Sequence, residues 1–128
     1  MSQQRIPISV EILADMETPL SVFKKLGNKP FSYLFESVEG GEKWARYSLI
    51  GLPSSTVIKV YKNTIQIYED GQIVEEVTSQ DPLNFIEEYQ EDINVKLNDE
   101  LPAFTGGLVG DLGYDCIRYI EPKLSSFN

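Results

Sequence analysis

Residues 57–77 read VIKVYKNTIQIYEDGQIVEEV, and this stretch decides the fold class. Three runs in it, 57–61, 64–68 and 73–77, are rich in β-branched and aromatic residues and are separated by polar turns. Asp70-Gly71 is a strong two-residue hairpin signal, and Lys62-Asn63 marks the other turn. The stretch therefore predicts three consecutive antiparallel strands, because such short turns join only antiparallel neighbours.

Helices are predicted on both sides of this stretch. Thr18-Pro19 and Asp81-Pro82 each place a capping residue before a proline, which is the preferred opening of a helix. Apolar residues then follow at helical spacing, so we expect one helix at about 19–26 and another from 82 to about Gln90. The segment 114–120 is also predicted to be helical.

The remaining apolar runs predict further strands at 8–12, 31–38 and about 46–51. This order of elements lacks the regular alternation of a parallel βαβ fold. We expect an α+β fold, with a mainly antiparallel, sandwich-like sheet and a few flanking helices, in a single domain spanning residues 1–128. The glycine-rich run 105–110 lacks the ending of a phosphate-binding loop, so close backbone packing or a bulged strand is expected there.

Composition argues against several classes of function. A formal charge of −9 repels nucleic acid, and no apolar run approaches the roughly 20 residues of a membrane helix. The chain has no histidine and one cysteine, Cys116, which argues against a metal site and against Ser-His or Cys-His catalysis. The first residues lack the pattern of a secretory signal, so a cytoplasmic location is expected.

Two places could hold a small ligand. Glu36-Ser37 ends an aromatic strand and could receive a ligand ammonium, or could be an ordinary strand end. Arg46 could bind a carboxylate through two parallel hydrogen bonds, or could remain in water. The residues by themselves leave both alternatives open.

Longer segments carry a resemblance to a known family. In order along the chain, residues 11–23, 35–51, 102–110 and 113–121 resemble the N-terminal domain of anthranilate synthase component I. The resemblance covers about residues 5 to 124. One departure is Asp111, which stands where an aromatic residue is expected, and its side chain must be solvated or paired.

The resemblance implies a function for the parent protein. Family members are lyases that convert chorismate to anthranilate, the first committed step of tryptophan biosynthesis. They use magnesium, and they take ammonia from a glutamine amidotransferase subunit. This chemistry belongs to a larger C-terminal domain outside these 128 residues. The resemblance therefore implies that the chain alone is inactive and holds no cofactor, and that its partners are its own catalytic domain, the amidotransferase subunit and L-tryptophan.

The resemblance also assigns site residues. In the family, tryptophan binds between the N-terminal and catalytic domains and inhibits the enzyme. By this likeness Glu36 faces the ligand ammonium, Ser37 forms a hydrogen bond with the ligand, Arg46 matches a basic position, and Leu34 and Pro19 form an apolar wall. Two other functions compete with this one. They are the N-terminal domain of aminodeoxychorismate synthase component I, in the folate branch, and a freestanding small-molecule binding module.

Overall fold

The computed structural model describes residues 3–36, 47–102 and 104–121. They contain helices and short, mainly antiparallel sheets, which confirms the α+β class. The chain divides into two compact units, one drawn from residues 1–10, 60–65 and 77–128 and the other from 11–59 and 66–76. No helix in the described ranges is long and apolar enough to span a bilayer. The sandwich-like layering and the single domain over 1–128 stay predictions.

The described elements follow one another as β1 (Gln3–Arg5), α1 (Pro19–Leu26), β2 (Tyr33–Glu36), β3 (Ser48–Gly51), β4 (Thr56–Tyr61), β5 (Thr64–Glu69), β6 (Gln72–Thr78), α2 (Pro82–Glu91), β7 (Ile93–Val95), a short 3₁₀ helix (Tyr114–Cys116) and α3 (Ile117–Ile120). Strand β5 lies between β4 and β6, as the sequence predicts. Asp70 and Gly71 have φ angles of 50° and 80°, which matches the left-handed turn that an Asp-Gly hairpin requires.

The buried core of the described residues is small. Ile65 and Ile67 lie on one face of β5 and expose 0% and 4% of their surface. Pro82, the first residue of α2, is also buried. Alternation along the strand explains the pairing of the two isoleucines, since residues i and i+2 face the same side of a sheet.

Both helices begin where their caps predict. The Thr18 side chain accepts a hydrogen bond from the backbone N–H of Ser21, and the Ser21 hydroxyl oxygen accepts one from the backbone N–H of Thr18. The Asp81 carboxylate accepts from the backbone N–H of Asn84 at 3.1 Å. These bonds satisfy N–H groups that a helix start otherwise leaves unpaired.

The C-terminal helical segment is confirmed and is anchored to the turn between β4 and β5. The Tyr119 hydroxyl donates a hydrogen bond to the backbone carbonyl of Lys62 at 2.6 Å. Burial raises the pKa of the Tyr119 hydroxyl above its ordinary value, so the neutral donor form is favoured. This bond joins residues that are 57 positions apart in sequence.

The strand predicted at 8–12 is wrong, because residues 6–14 contain no helix or strand. A strand needs a neighbour for its backbone hydrogen bonds, and residues 8–12 have no such partner among the described residues. The parallel pairing of β1 with β7 was not predicted from the sequence. It joins two strands of three residues that lie about ninety positions apart in sequence. Periodicity within a short window cannot predict such a pairing.

Close packing of the glycine-rich run is also wrong for the described residues. A side chain added at Gly106 or Gly110 would meet nothing within 4 Å, and at Gly107 it would come only within 3.8 Å of the Gln90 amide. Gly106 and Gly107 have φ angles of 118° and 143°, so backbone conformation explains the glycines at these two positions. Asp111 is exposed, which agrees with the expectation that its carboxylate must be solvated or paired.

Candidate functional site on the β2–β3 hairpin

The predicted site residues that the structure describes lie in one compact unit. Pro19 is the first residue of α1, and Leu34 and Glu36 lie in β2. Helix α1 packs against both β2 and β3. Ser37 and Arg46 fall outside the described residues. The structure thus places three of the five predicted residues on adjoining elements.

Alternation along β2 puts Leu34 and Glu36 on the same face of the strand. Tyr33 and Phe35 lie on the opposite face, where their ring centroids are 5.0 Å apart. Leu34 is half-buried, whereas Glu36 is exposed at the end of the strand. This face therefore changes from apolar to acidic along its length.

The pairing of β2 with β3 adds two residues that the sequence prediction missed. Ser48 lies directly opposite Glu36, and Ile50 lies directly opposite Leu34. Directly opposed side chains on an antiparallel pair have Cβ atoms about 4.5–5.5 Å apart. Ser48 and Ile50 therefore share the face of Glu36 and Leu34. The predicted return of a second strand at about 46–51 was the signal, but only the register identifies the partners.

The resulting surface can recognise a small zwitterionic or cationic ligand with an apolar body. The Glu36 carboxylate is an acceptor suited to an ammonium group, and the Ser48 hydroxyl can accept or donate a hydrogen bond beside it. Leu34 and Ile50 supply half-buried apolar surface next to this polar pair. Among the described residues no cluster of three or more His, Cys, Asp or Glu side chains could hold a metal ion.

A network at the start of α1 holds the helix end that carries Pro19. The Glu17 carboxylate accepts hydrogen bonds from the Lys25 ammonium and from the Ser21 hydroxyl, and the Lys25 side chain is exposed. The bond from Lys25, and then that from Ser21, lowers the pKa of the Glu17 carboxyl from its ordinary 4.5. The network ties the turn before the helix to the last turn of the helix.

We expect the stabilising effect of Glu17 to depend on pH. The folded pKa is lowered, so the stabilisation is present above pH 4.5 and is lost as pH falls through the folded value. Glu17→Gln is therefore expected to unfold at lower urea concentration than wild type at pH 7, and the difference is expected to shrink as pH falls below 4.5. Urea unfolding across this pH range measures both effects.

The control for this experiment is Glu75→Gln. Glu75 is exposed on β6, and its carboxylate has no hydrogen bond or ion pair with another described residue. Its substitution is expected to leave the urea midpoint close to that of wild type at every pH. A Glu17→Gln urea midpoint equal to that of wild type at pH 7 would exclude an ionic contribution from Glu17.

A separate cavity of about 290 Å³ lies in the same unit. The Lys59 ammonium lies 4.7 Å from the centroid of the Tyr68 ring and 5.7 Å from that of Phe31, within reach of a cation–π attraction. None of the three predicted site residues that the structure describes lines this cavity; its walls are Phe31, Ser54, Ser55, Val57, Lys59, Tyr68, Asp70 and Gly71. The cavity and the β2–β3 face are therefore different surfaces.

Comparison with known proteins finds several similar proteins that share one name. A curated relative from Pseudomonas aeruginosa, named anthranilate synthase component 1, is 52% identical over 95% of this chain. Over nearly its whole length the chain is similar to a part of anthranilate synthase component 1. Relatives of the same name from Acinetobacter calcoaceticus and Aquifex aeolicus are 48% and 45% identical over 94% and 91% of the chain. The resemblance found in the sequence is thereby confirmed.

The family likeness covers only part of each relative. The chain spans about a quarter of the length of these curated members, 25% for the Pseudomonas and Acinetobacter proteins and 24% for the Aquifex protein. No family model and no solved structure matches the chain.

Proposed function

We propose that this chain is the N-terminal regulatory domain of an anthranilate synthase component 1 and that it contributes to a tryptophan feedback site. The observation that carries the proposal is the 52% identity over 95% of the chain to a quarter of a protein of that name. The parent protein then converts chorismate to anthranilate in the cytoplasm. The word component implies a second subunit, which we propose is a glutamine amidotransferase that supplies ammonia.

The catalytic step is assigned to the remainder of the parent protein. The described residues offer no metal-ligand cluster for magnesium, so we place the magnesium site outside them. The role left to this chain is to bind an effector and to transmit its binding to the catalytic domain.

The face of the β2–β3 hairpin supports a role in binding tryptophan. The Glu36 carboxylate would accept the ligand ammonium, with Ser48 opposite it and Ser37 next to it in sequence. Arg46 would bind the ligand carboxylate. Leu34 and Ile50, with Pro19 at the start of the adjoining helix, would contact the indole ring.

Inhibition would follow from a difference in affinity. A ligand shifts an equilibrium between two domain arrangements only by the difference in its affinity for them. Glu36 and Ser48 are exposed, so this face alone encloses little of a ligand. The opposite wall would come from the catalytic domain, and tryptophan would favour the arrangement that handles chorismate poorly. The isolated chain would bind tryptophan weakly.

The proposal is tested by anthranilate formation in the full-length polypeptide with its amidotransferase, at increasing tryptophan concentration. Wild type is expected to be inhibited. Glu36→Gln keeps the shape of the side chain and removes its charge, so we expect it to need at least about 10-fold more tryptophan for half-inhibition, equivalent to about 1.4 kcal/mol. Ser37→Ala is expected to shift the half-inhibition point in the same direction.

Each variant is compared with its own rate in the absence of tryptophan, and Glu75→Gln is the matched charge-removal control. If Glu75→Gln shifts the half-inhibition point as far as Glu36→Gln does, the site assignment fails. Wild-type anthranilate formation that does not respond to tryptophan refutes the regulatory role. A full-length protein that makes aminodeoxychorismate rather than anthranilate belongs to the folate branch.

A further inference from the structure

The segment between β1 and α1 exposes an apolar face. Ile8, Val10 and Ile12 expose 92%, 82% and 78% of their surface, and they alternate with Ser9 and Glu11. Apolar side chains at every second position are the pattern of a strand with one buried face. The alternation therefore predicts a buried apolar face, whereas these apolar side chains are exposed.

The backbone of the segment is also unpaired within the described residues. β1 ends at Arg5, whose carbonyl accepts from the backbone N–H of Lys96. From Ile6 to Ile12 no backbone group makes a hydrogen bond with another described residue. Exposed strand-like segments with free backbone groups are templates for pairing with another strand.

Pro7 indicates which edge of such a strand can pair. Successive residues of a strand direct their N–H groups to opposite edges, and proline has no N–H group to donate. Residues 7, 9 and 11 share one edge, which is interrupted at Pro7. Ile8, Val10 and Ile12 share the other edge, on which every N–H group is present.

We propose that residues 8–12 form a β-strand by pairing, through the edge of Ile8, Val10 and Ile12, with a strand of the parent polypeptide that lies outside these 128 residues. The curated relatives are about four times longer than this chain. The additional polypeptide can supply both a neighbouring strand and an apolar surface to cover these side chains. The inference rests on the proposed function only in requiring a longer parent polypeptide.

The test is hydrogen–deuterium exchange, resolved to single residues, in the full-length polypeptide and in the 128-residue chain. The amides of Ile8, Val10 and Ile12 are expected to exchange at least about 100-fold more slowly in the full-length protein, because stable strand pairing closes them to solvent. The amides of Ser9 and Glu11 are expected to change much less. Equal exchange in the two proteins, or protection of Ser9 and Glu11 instead, overturns the proposal.

Two variants distinguish loss of strand pairing at the apolar face from a general effect of adding a charge to the segment. In the full-length protein Val10→Asp is expected to abolish the protection of Ile8 and Ile12, since it puts a charge on the buried face. Ser9→Asp adds the same charge one residue away, on the opposite face, and is expected to preserve that protection. If both variants abolish the protection or neither does, the assigned face is wrong.

A second copy of this chain is the competing partner. Protection of the segment that appears in the isolated chain and grows with its concentration would assign the strand to self-association and overturn the proposal. Measuring exchange requires no catalysis, so the strand proposal can be refuted independently of the proposed function. If the full-length protein protects these amides but forms no anthranilate, only the proposed function is refuted. If it forms anthranilate in a tryptophan-sensitive way but does not protect these amides, only the strand proposal is refuted.

Discussion

Ile65→Ala is expected to lower the free energy of unfolding by about 2–5 kcal/mol, the usual cost of removing a fully buried isoleucine side chain. Ile65 exposes 0% of its surface and lies on the central strand of the β4–β5–β6 sheet. Few other large side chains of the described residues are fully buried, so little apolar material is available to fill the space left behind. Urea unfolding followed by circular dichroism measures the loss.

Ile73→Ala is the matched control for this experiment. It makes the same chemical change on β6, at a side chain that is 51% exposed. Its cost is expected to stay below about 1 kcal/mol, as for most surface substitutions. Equal costs at the two positions would show that the core is not centred on Ile65.

Gly51→Ala is expected to destabilise the β2–β3 hairpin by about 1–3 kcal/mol, the usual range for overpacking. Gly51 pairs with Tyr33, whose ring lies across the glycine. A Cβ atom built at Gly51 would overlap this ring, with Tyr33 Cζ only 2.5 Å away. To make room, the ring must leave its position beside Phe35. Urea unfolding of the variant measures the cost.

Removing the ring tests this explanation directly. In the background of Tyr33→Ala, the added Gly51→Ala change is expected to cost little, because the overlapping atoms are gone; the double-mutant cycle reports the difference. Gly110→Ala is the control, since nothing among the described residues lies within 4 Å of its added methyl group. A cost for Gly51→Ala that persists without the ring would point to backbone strain instead.

Local sequence signals predicted most of the regular elements. Thr18-Pro19 and Asp81-Pro82 correctly locate the starts of α1 and α2, because a cap and a proline act within a few residues. The turn at Asp70-Gly71 is equally local. Signals of this kind require no information about distant parts of the chain.

Structural features that depend on a distant partner were predicted wrongly or not at all. The pattern at residues 8–12 is that of a strand, but no described residue pairs with it. The parallel pairing of β1 with β7 left no local signal. In the candidate site, Glu36 was indicated by the local pattern and by the family likeness, and Leu34 and Pro19 by the likeness alone. Ser48 and Ile50 required the strand register.

The amino-acid sequence by itself determined the α+β class, the helix starts and the central three-stranded meander, because capping, turn chemistry and period-two alternation act over a few neighbouring residues. Only the tertiary structure decided which side chains share the candidate surface and which β-pattern remains unpaired. Strand register and the availability of a partner depend on contacts between distant residues, and a shift of one residue would turn every side chain to the opposite face.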